Sequence, residues 1–274
     1  MTVLKQISTK MQNPLNFGMM IKNEYIRRNT MKVTVIGYWG GFPAANEATS
    51  GYLFEHDEFR MLVDCGSGVL SKLQNYVAVE KLDAVVISHY HHDHVADIGP
   101  LQYARLIKKN LGENLPVLPI YGHPFDQEEF ARLAHEGITE AVAYDPERSL
   151  QIGPFHITFM KTVHPVACYA MRITTGDATV VYTADSTYLP EFAPFAKNAD
   201  LLICECNFYA GQNAAPAGHM TSEEAATIAR DANVAELWLT HLPHFGERTQ
   251  LVSEAKAVFS GKVQLAKTGL MWEK

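Results

Sequence analysis

The sequence predicts one α/β domain over residues 31–274, in which β-sheets lie between outer layers of helices. With 274 residues, of which 47% are hydrophobic and 19% are charged, the chain has the composition of an ordinary globular protein with a large core. From residue 31 onward, short apolar runs alternate with segments of helical period. No stretch rich in Gly, Pro or Ser separates the two halves, so we expect one domain built from two similar halves.

The first half is predicted to begin with strands and then to alternate strands with helices. Apolar runs bounded by turn residues predict strands, and apolar residues at helical spacing predict helices. The predicted strands are 33–36, 52–54, 61–63, 84–87 and 117–121, and the predicted helices are 67–76, 100–109 and 126–135.

The second half repeats this organisation. Thr221 followed by Glu224 has the spacing of a capping box, which marks the start of a helix. Antiparallel strands combined with strand–helix–strand units are typical of sheets covered by helices. The predicted strands are 155–160, 167–174, 179–182, 201–204 and 237–239, and the predicted helices are 222–231 and 253–259.

Residues 1–30 differ from the rest of the chain because they are basic and show no sustained period. They carry five Lys or Arg against Glu24, a net charge of +4, which leaves −11 for residues 31–274 from the total of −7. We expect either an upstream extension from a misassigned start or a flexible, partner-binding tail, and we favour the first. The acidic body disfavours a wide contact with a nucleic-acid backbone.

The four cysteines, Cys65, Cys168, Cys204 and Cys206, are too few for a secreted disulfide scaffold in a chain of this length, so we expect reduced core thiols. No apolar run approaches the roughly 18 residues of a membrane span, and the N-terminus lacks the apolar stretch of a signal peptide. We therefore expect a cytoplasmic protein without a membrane partner.

A dense group of His and Asp residues follows the predicted strand 84–87. The segment SHYHHDH at 88–94 has the pattern H-x-H-x-D-H. Three imidazoles and a carboxylate this close together would be costly to bury without a cation. His and Asp donors suit zinc, with manganese or iron as alternatives, and the lack of Cys argues against a closed structural zinc site. The sequence therefore predicts an open, catalytic metal site with ligands His89, His91, Asp93 and His94.

Two metal ions with open positions need about three further ligands. His164, Asp185 and His241 each come directly after a predicted strand of the second half, where a strand can fix their geometry. Two cations about 3.5–4 Å apart lower the pKa of a shared water towards 7 and offset charge in the transition state. We therefore expect a hydrolase with two divalent cations, Zn²⁺ first and Mn²⁺ as the alternative.

These seven residues, in this order, resemble the ligand set of the metallo-β-lactamase superfamily, and the resemblance covers nearly all of 31–274. It implies a four-layer αββα sandwich. It also implies that each metal has its own ligands and that one carboxylate bridges the two. The implied assignment is His89, His91 and His164 to one metal, Asp93, His94 and His241 to the other, and Asp185 to both.

Within that superfamily the chain resembles small bacterial metallo-hydrolases similar to ribonuclease Z. The similar segments are GHMT at 218–221, CECNF at 204–208 and YWGGFP at 38–43, the last resembling a flexible loop beside the site. The resemblance implies that His219 contacts the scissile phosphate and that Glu205 orients His219. Asp93 could both bind a metal and accept the proton of the water.

One feature of tRNA-processing ribonuclease Z is missing. Those enzymes carry a long arm between the equivalents of His164 and Asp185, whereas 20 residues intervene in this chain. Together with the acidic body, this favours a small or short phosphodiester over tRNA as the substrate. We therefore expect a phosphodiesterase or nuclease. Oligomers are common among such hydrolases, and a homodimer is compatible with the sequence.

Three other functions use the same fold or the same ligands. The seven ligands alone do not separate phosphorus from carbonyl chemistry, so a thioester or lactone hydrolase of the glyoxalase II or lactonase kind stays open. A redox di-iron protein is disfavoured because such sites usually have a carboxylate where this chain has His91. A binding module without turnover is disfavoured by the complete ligand set.

The remaining polar residues receive simpler interpretations. Asp64 is expected to bond to a His ligand. His244 stays open between a functional and a structural role. The histidines expected to be structural or solvated are His56, His92, His123, His135 and His156.

Overall fold

The computed structural model describes residues 30–176 and 178–274. The predicted N-terminal extension lies, except for Thr30, outside the described residues. Within them, two seven-stranded sheets pack face to face and helices cover their outer sides. This confirms the predicted four-layer αββα sandwich.

The described residues form fourteen strands and seven α-helices. The strands are β1 (Met31–Gly37), β2 (Gly51–His56), β3 (Phe59–Val63), β4 (Ala84–Val86), β5 (Leu118–Gly122), β6 (Thr139–Ala143), β7 (Leu150–Ile152), β8 (Phe155–Lys161), β9 (Tyr169–Thr175), β10 (Ala178–Tyr182), β11 (Leu201–Glu205), β12 (Glu236–Thr240), β13 (Lys262–Leu265) and β14 (Met271–Glu273). The helices are α1 (Val69–Leu73), α2 (His92–Val95), α3 (Ile98–Asn110), α4 (Gln127–Ala131), α5 (Phe192–Phe195), α6 (Ser222–Asp231) and α7 (Arg248–Val258).

The strand order places many strand ends at one end of the sandwich. The first sheet has the order β14-β1-β2-β3-β4-β5-β6 and the second has the order β13-β12-β11-β10-β9-β8-β7. Strands β3 to β6 are parallel to one another, as are β10 to β13. Because parallel strands have their carboxyl-terminal ends at the same end of a sheet, residues that follow these strands can meet there.

Alternating side chains of the first sheet fill two cores. In β2, Tyr52 and Phe54 join the core between the sheets, whereas Leu53 joins a second core beneath α1 and α3. Successive side chains of a strand point to opposite faces, so a strand buried on both faces is apolar throughout. This explains why β2, β3 and β4 were recognisable as continuous apolar runs.

The four strands that the sequence did not predict are the edge strands of the two sheets: β6, β7, β13 and β14. Their side chains are only partly buried, so they lack the continuous apolar runs of inner strands. Three predicted helices also have wrong boundaries. The helix predicted at 67–76 is the shorter α1. The helix predicted at 126–135 is the shorter α4, and α7 begins at Arg248 rather than at 253.

The cysteines and the helix lengths agree with the composition of a globular protein. All four cysteines are buried and free, which confirms the predicted core thiols. Among the residues that the structure describes, no helix combines the length and the apolarity that crossing a membrane requires.

The capping box of α6 gives a testable prediction. The Thr221 hydroxyl accepts a hydrogen bond from the Glu224 backbone N–H at 3.2 Å, and the Glu224 carboxylate accepts one from the Thr221 N–H at 2.9 Å. We expect Thr221→Ala to lower the free energy of unfolding by about 1 kcal/mol, because it removes this cap. Denaturant titration measures the change. Thr227→Ala, inside the same helix, is the control, and an equal loss in both variants would contradict the assignment.

Candidate metal centre

All seven predicted metal ligands meet at one end of the sandwich, in loops that follow strands of both sheets. The structure therefore brings together residues separated by up to 152 positions in the sequence. His89 and His91 follow β4, Asp93 and His94 lie in α2, His164 follows β8, Asp185 follows β10, and His241 follows β12.

The first group of ligand atoms consists of three ring nitrogens and a carboxylate oxygen. His91 Nδ1 lies 3.2 Å from His89 Nε2 and 2.9 Å from His164 Nε2. Asp185 Oδ2 lies 3.7 Å from the same Nε2 atoms of His89 and His164. Ligand atoms on a tetrahedral zinc ion, with bonds of about 2.0–2.1 Å, are separated by roughly 3.3 Å. The spacing of this group therefore fits a metal ion.

The second group shares Asp185 with the first. His241 Nε2 lies 3.0 Å from Asp93 Oδ2 and 3.2 Å from Asp185 Oδ2. His94 Nε2 lies 3.7 Å and 3.4 Å from the same two oxygens. Asp185 is thus in contact with both groups, as a bridging carboxylate would be.

Two buried atoms of the cluster lack a hydrogen-bond partner among the described residues: His94 Nε2 and Asp185 Oδ1. Burial and the nearby His94 hold the pKa of His89 well below its usual value, so its ring is neutral. Unpaired polar atoms in a dry interior are unfavourable, and a bound cation would satisfy them. The cluster is therefore able to bind metal ions.

Asp64 holds one of the rings in place. Its carboxylate accepts hydrogen bonds from His94 Nδ1 at 2.8 Å, from the Ser88 backbone N–H at 2.8 Å and from the Tyr182 hydroxyl at 2.9 Å. With Nδ1 donating to Asp64, Nε2 of His94 is left facing the cluster. The expected contact of Asp64 with a His of the motif is present.

The loop at 38–43 reaches the cluster through a contact that the sequence did not reveal. The Gly41 backbone N–H donates to Asp93 Oδ2 at 2.7 Å. A Cβ at Gly40 would lie 2.7 Å from the ring of His241, so only glycine allows this close approach. The adjacent glycines Gly40 and Gly41 are the feature of the sequence that could have indicated this contact.

Backbone strain is concentrated beside the cluster. Asp64, Ala184 and His241 have positive φ angles of 58°, 51° and 52°, a conformation that costs roughly 1–3 kcal/mol for residues other than glycine. Each lies just after the end of a strand, and Ala184 directly precedes Asp185. The sharp turns aim the side chains of these loops into the cluster.

Glu205 and His219 form a pair next to the second group. His219 Nδ1 donates to Glu205 Oε1 at 2.9 Å, and the buried Glu205 carboxylate also accepts from the backbone N–H groups of Ser186, Asn207 and Met220. The His219 ring centroid lies 5.0 Å from that of His241. Burial lowers the pKa of His219, but Glu205 outweighs burial and raises it to about 9.

His244, whose role the sequence left open, packs on the loop at 38–43. Its ring stacks between Trp39, at 4.4 Å, and Phe42, at 3.7 Å. The ring nitrogen Nε2 donates to the Phe42 carbonyl at 2.7 Å. His244 therefore fastens the loop whose Gly41 contacts Asp93.

Comparison with known proteins identifies the family. A family model described as a β-lactamase superfamily domain matches residues 59–242. The chain is 62% identical over 243 residues to the probable metallo-hydrolase YhfI of Bacillus subtilis (strain 168). This alignment covers 89% of this chain and 100% of YhfI. The crystal structure of the metallo-β-lactamase fold protein YhfI matches with a TM-score of 0.89 and 61% identity over the same shares of both chains. The chain belongs to the metallo-β-lactamase superfamily.

More distant relatives include ribonuclease Z. The chain is 25% identical over 301 residues to ribonuclease Z of Haloferax volcanii, covering 88% of this chain and 94% of that enzyme. The structure of a diphosphatase from the PhnP family matches with a TM-score of 0.69 at 16% sequence identity. The match covers 88% of this chain and 97% of the diphosphatase, so the two proteins share a fold. The predicted similarity to ribonuclease Z is confirmed.

Asp64 provides a test of how the cluster is held. We expect Asp64→Asn to weaken binding of Zn²⁺ by about 10- to 100-fold, because the amide no longer holds His94 as a charged acceptor does. Competition with a chromogenic chelator measures the affinity. Asp97→Asn is the matched control, since Asp97 accepts from the Leu70 N–H and is not part of the cluster. Equal affinities of the two variants would contradict this role.

Proposed function

We propose that the protein is a metal-dependent hydrolase that cleaves small or short phosphodiesters with two bound divalent cations, Zn²⁺ or Mn²⁺. The observation that carries the proposal is the hydrogen-bonded pair of buried Glu205 and partly exposed His219, next to a cluster able to bind metal. The relatives named probable metallo-hydrolase and ribonuclease Z support the same class of reaction.

The two groups of ligand atoms would hold the cations, with Asp185 in contact with both. When bound, such a pair activates water and offsets negative charge on a phosphoryl group. Asp93 Oδ2 is the candidate acceptor for the proton of the attacking water. It accepts a hydrogen bond from the Gly41 N–H at 2.7 Å, so its position is fixed before the substrate arrives.

His219 is the candidate group that acts on the substrate. Its Nδ1 is committed to Glu205, so Nε2 is the nitrogen available to a phosphoryl oxygen or to the leaving oxygen. With a pKa of about 9 the ring carries a positive charge at neutral pH. A fixed cation here stabilises the extra negative charge of a phosphoryl transition state, or supplies the leaving group with a proton.

The short segment between His164 and Asp185 supports a limit on the size of the substrate. Between His164 and Asp185 the described residues form the hairpin of β9 and β10, without room for a long arm. The alignment with ribonuclease Z spans 301 residues, more than the 274 of this chain, so that enzyme carries insertions that this chain lacks. These observations support a small or short substrate rather than tRNA.

Replacing the His219–Glu205 pair tests the phosphodiesterase proposal. We expect His219→Ala and Glu205→Gln to lower kcat with bis(p-nitrophenyl) phosphate by about 10²–10³-fold, because a fixed charge at the transition state is lost or misplaced. Bound metal, measured by elemental analysis, should stay the same. His156→Ala, on the exposed side of β8, is the control.

Unchanged activity in both variants would contradict the proposal and would favour the thioester or lactone hydrolase instead. The same purified samples can be assayed with a thioester and a lactone to measure that alternative directly.

Metal removal gives a second test. We expect dialysis against a chelator to abolish hydrolysis and re-addition of about two Zn²⁺ or Mn²⁺ ions per chain to restore it, since the ligand set has two groups. Titration of activity against added metal, with elemental analysis of each sample, gives the number of ions. Hydrolysis by protein shown to be free of metal would refute the mechanism.

A further inference from the structure

A cavity of about 410 Å³ lies against the loop that carries His89 and His91. Its volume falls in the range of roughly 300–1,000 Å³ that is usual for small-molecule sites. None of the seven candidate metal ligands is among its lining residues, so it is separate from the metal cluster itself.

The cavity nevertheless borders the two loops that supply the three histidines of the first group. One lining residue, Tyr90, stands between His89 and His91 in the chain. Two others, Val166 and Ala167, follow His164 by two and three positions. The cavity and three histidines of the first group are therefore positioned by the same two loops.

The walls are aromatic and held in place. The ring of His123 lies 4.5 Å from that of Tyr90 and 5.6 Å from that of Phe125. The Tyr90 hydroxyl donates to the His123 backbone carbonyl at 2.6 Å, which fixes the Tyr90 ring. Phe125 is 61% exposed, so a large apolar ring stands uncovered at the cavity. Flat aromatic groups stack well on such walls.

His123 lies in the wall of the cavity, with both ring nitrogens buried and unpaired among the described residues. It is 1% exposed, and neither ring nitrogen makes a hydrogen bond of normal geometry with a described residue. Burial lowers its pKa, against a smaller opposing effect of the Ala167 backbone, so the ring is neutral and has one donor and one acceptor nitrogen. A ligand that carries both an acceptor and a donor would satisfy this ring, whereas a simple organic cation has no acceptor to offer.

Asp126 and Glu129 make the cavity acidic. Asp126 Oδ1 accepts from the Glu129 N–H at 3.1 Å and caps α4, and Glu129 Oε1 accepts from Arg132. Each carboxylate has a second oxygen that can accept from an amino group. Asp126 repels a phosphate, whereas the charge of Glu129 is partly offset by Arg132. The phosphate of a ligand is therefore directed to the cluster, and its neutral, N–H-bearing part to the cavity.

We propose that this cavity is a subsite for an amino-bearing nucleobase, and that the substrate is therefore a nucleoside phosphodiester whose phosphate contacts the metal cluster. The inference rests on the proposed phosphodiesterase function. Tyr90 and Phe125 stack on the base, His123 pairs with its ring atoms, and the two carboxylates accept from its exocyclic amino group.

Binding of three matched ligands to the Zn²⁺-loaded protein tests the subsite without any turnover. AMP and IMP differ at one position of the base, amino in AMP and oxo in IMP, and ribose 5-phosphate has no base. By isothermal titration calorimetry we expect AMP to bind about tenfold more tightly than IMP, because IMP presents an oxygen to the carboxylates. We expect ribose 5-phosphate to bind at least about tenfold more weakly than AMP, because stacking is lost.

Two variants localise the effect. Phe125→Ala should weaken AMP and IMP by about tenfold and leave ribose 5-phosphate unchanged. Asp126→Asn keeps a residue able to cap α4 and should reduce the preference for AMP over IMP. Tyr103→Ala on α3 is the matched control, because Tyr103 is 62% exposed and does not line the cavity.

Equal affinity of AMP and ribose 5-phosphate, or unchanged AMP affinity in Phe125→Ala, would overturn the subsite. The rate with bis(p-nitrophenyl) phosphate, measured on the same samples, reports on the proposed function separately. Selective AMP binding by a protein that hydrolyses no phosphodiester would support the subsite and contradict the phosphodiesterase.

Discussion

The carboxylate of Asp185 stands at the centre of the candidate site, and four imidazoles converge on it. Its Oδ2 lies within 3.7 Å of a ring nitrogen of each, and the residue is 2% exposed. Burial raises the pKa of this carboxyl, but the imidazoles around it outweigh burial and hold the pKa well below its usual range. Because a buried charge is expensive without partners, strands of both sheets must end where their loops can surround it.

Rigid supports keep the ligand atoms aimed at this centre. Asp64 holds His94, the Gly218 carbonyl accepts from His164 Nδ1 at 3.0 Å, and the Gly41 N–H holds Asp93. The strained turns beside these residues cost free energy that the large, closely packed cores offset. The stability of the sandwich and the geometry of its metal site are therefore linked, since the strain persists only while the surrounding structure enforces it.

The residues around the cluster differ in charge from one side to the other. On one side, Glu205 accepts a hydrogen bond from His219 and raises the pKa of that ring, which lies beside the second group of ligand atoms. On the other, the acidic residues Asp126 and Glu129 line a cavity. In the proposed function, a substrate with an anionic part and a neutral, N–H-rich part would be oriented by this contrast before any reaction occurs.

The sequence alone determined the inner strands and the motif at 88–94, because buried strands and a dense group of His and Asp leave strong local patterns. The αββα fold and the sharing of seven ligands between two metals were implied by the resemblance to the metallo-β-lactamase superfamily. It did not reveal the four edge strands, whose partly exposed side chains carry little apolar pattern. Only the tertiary structure showed the Gly41–Asp93 contact, the stacking of His244 and the cavity around His123, which the sequence had assigned a structural or solvated role. These features join residues distant in the chain, and such contacts depend on how the two sheets and their loops pack in three dimensions.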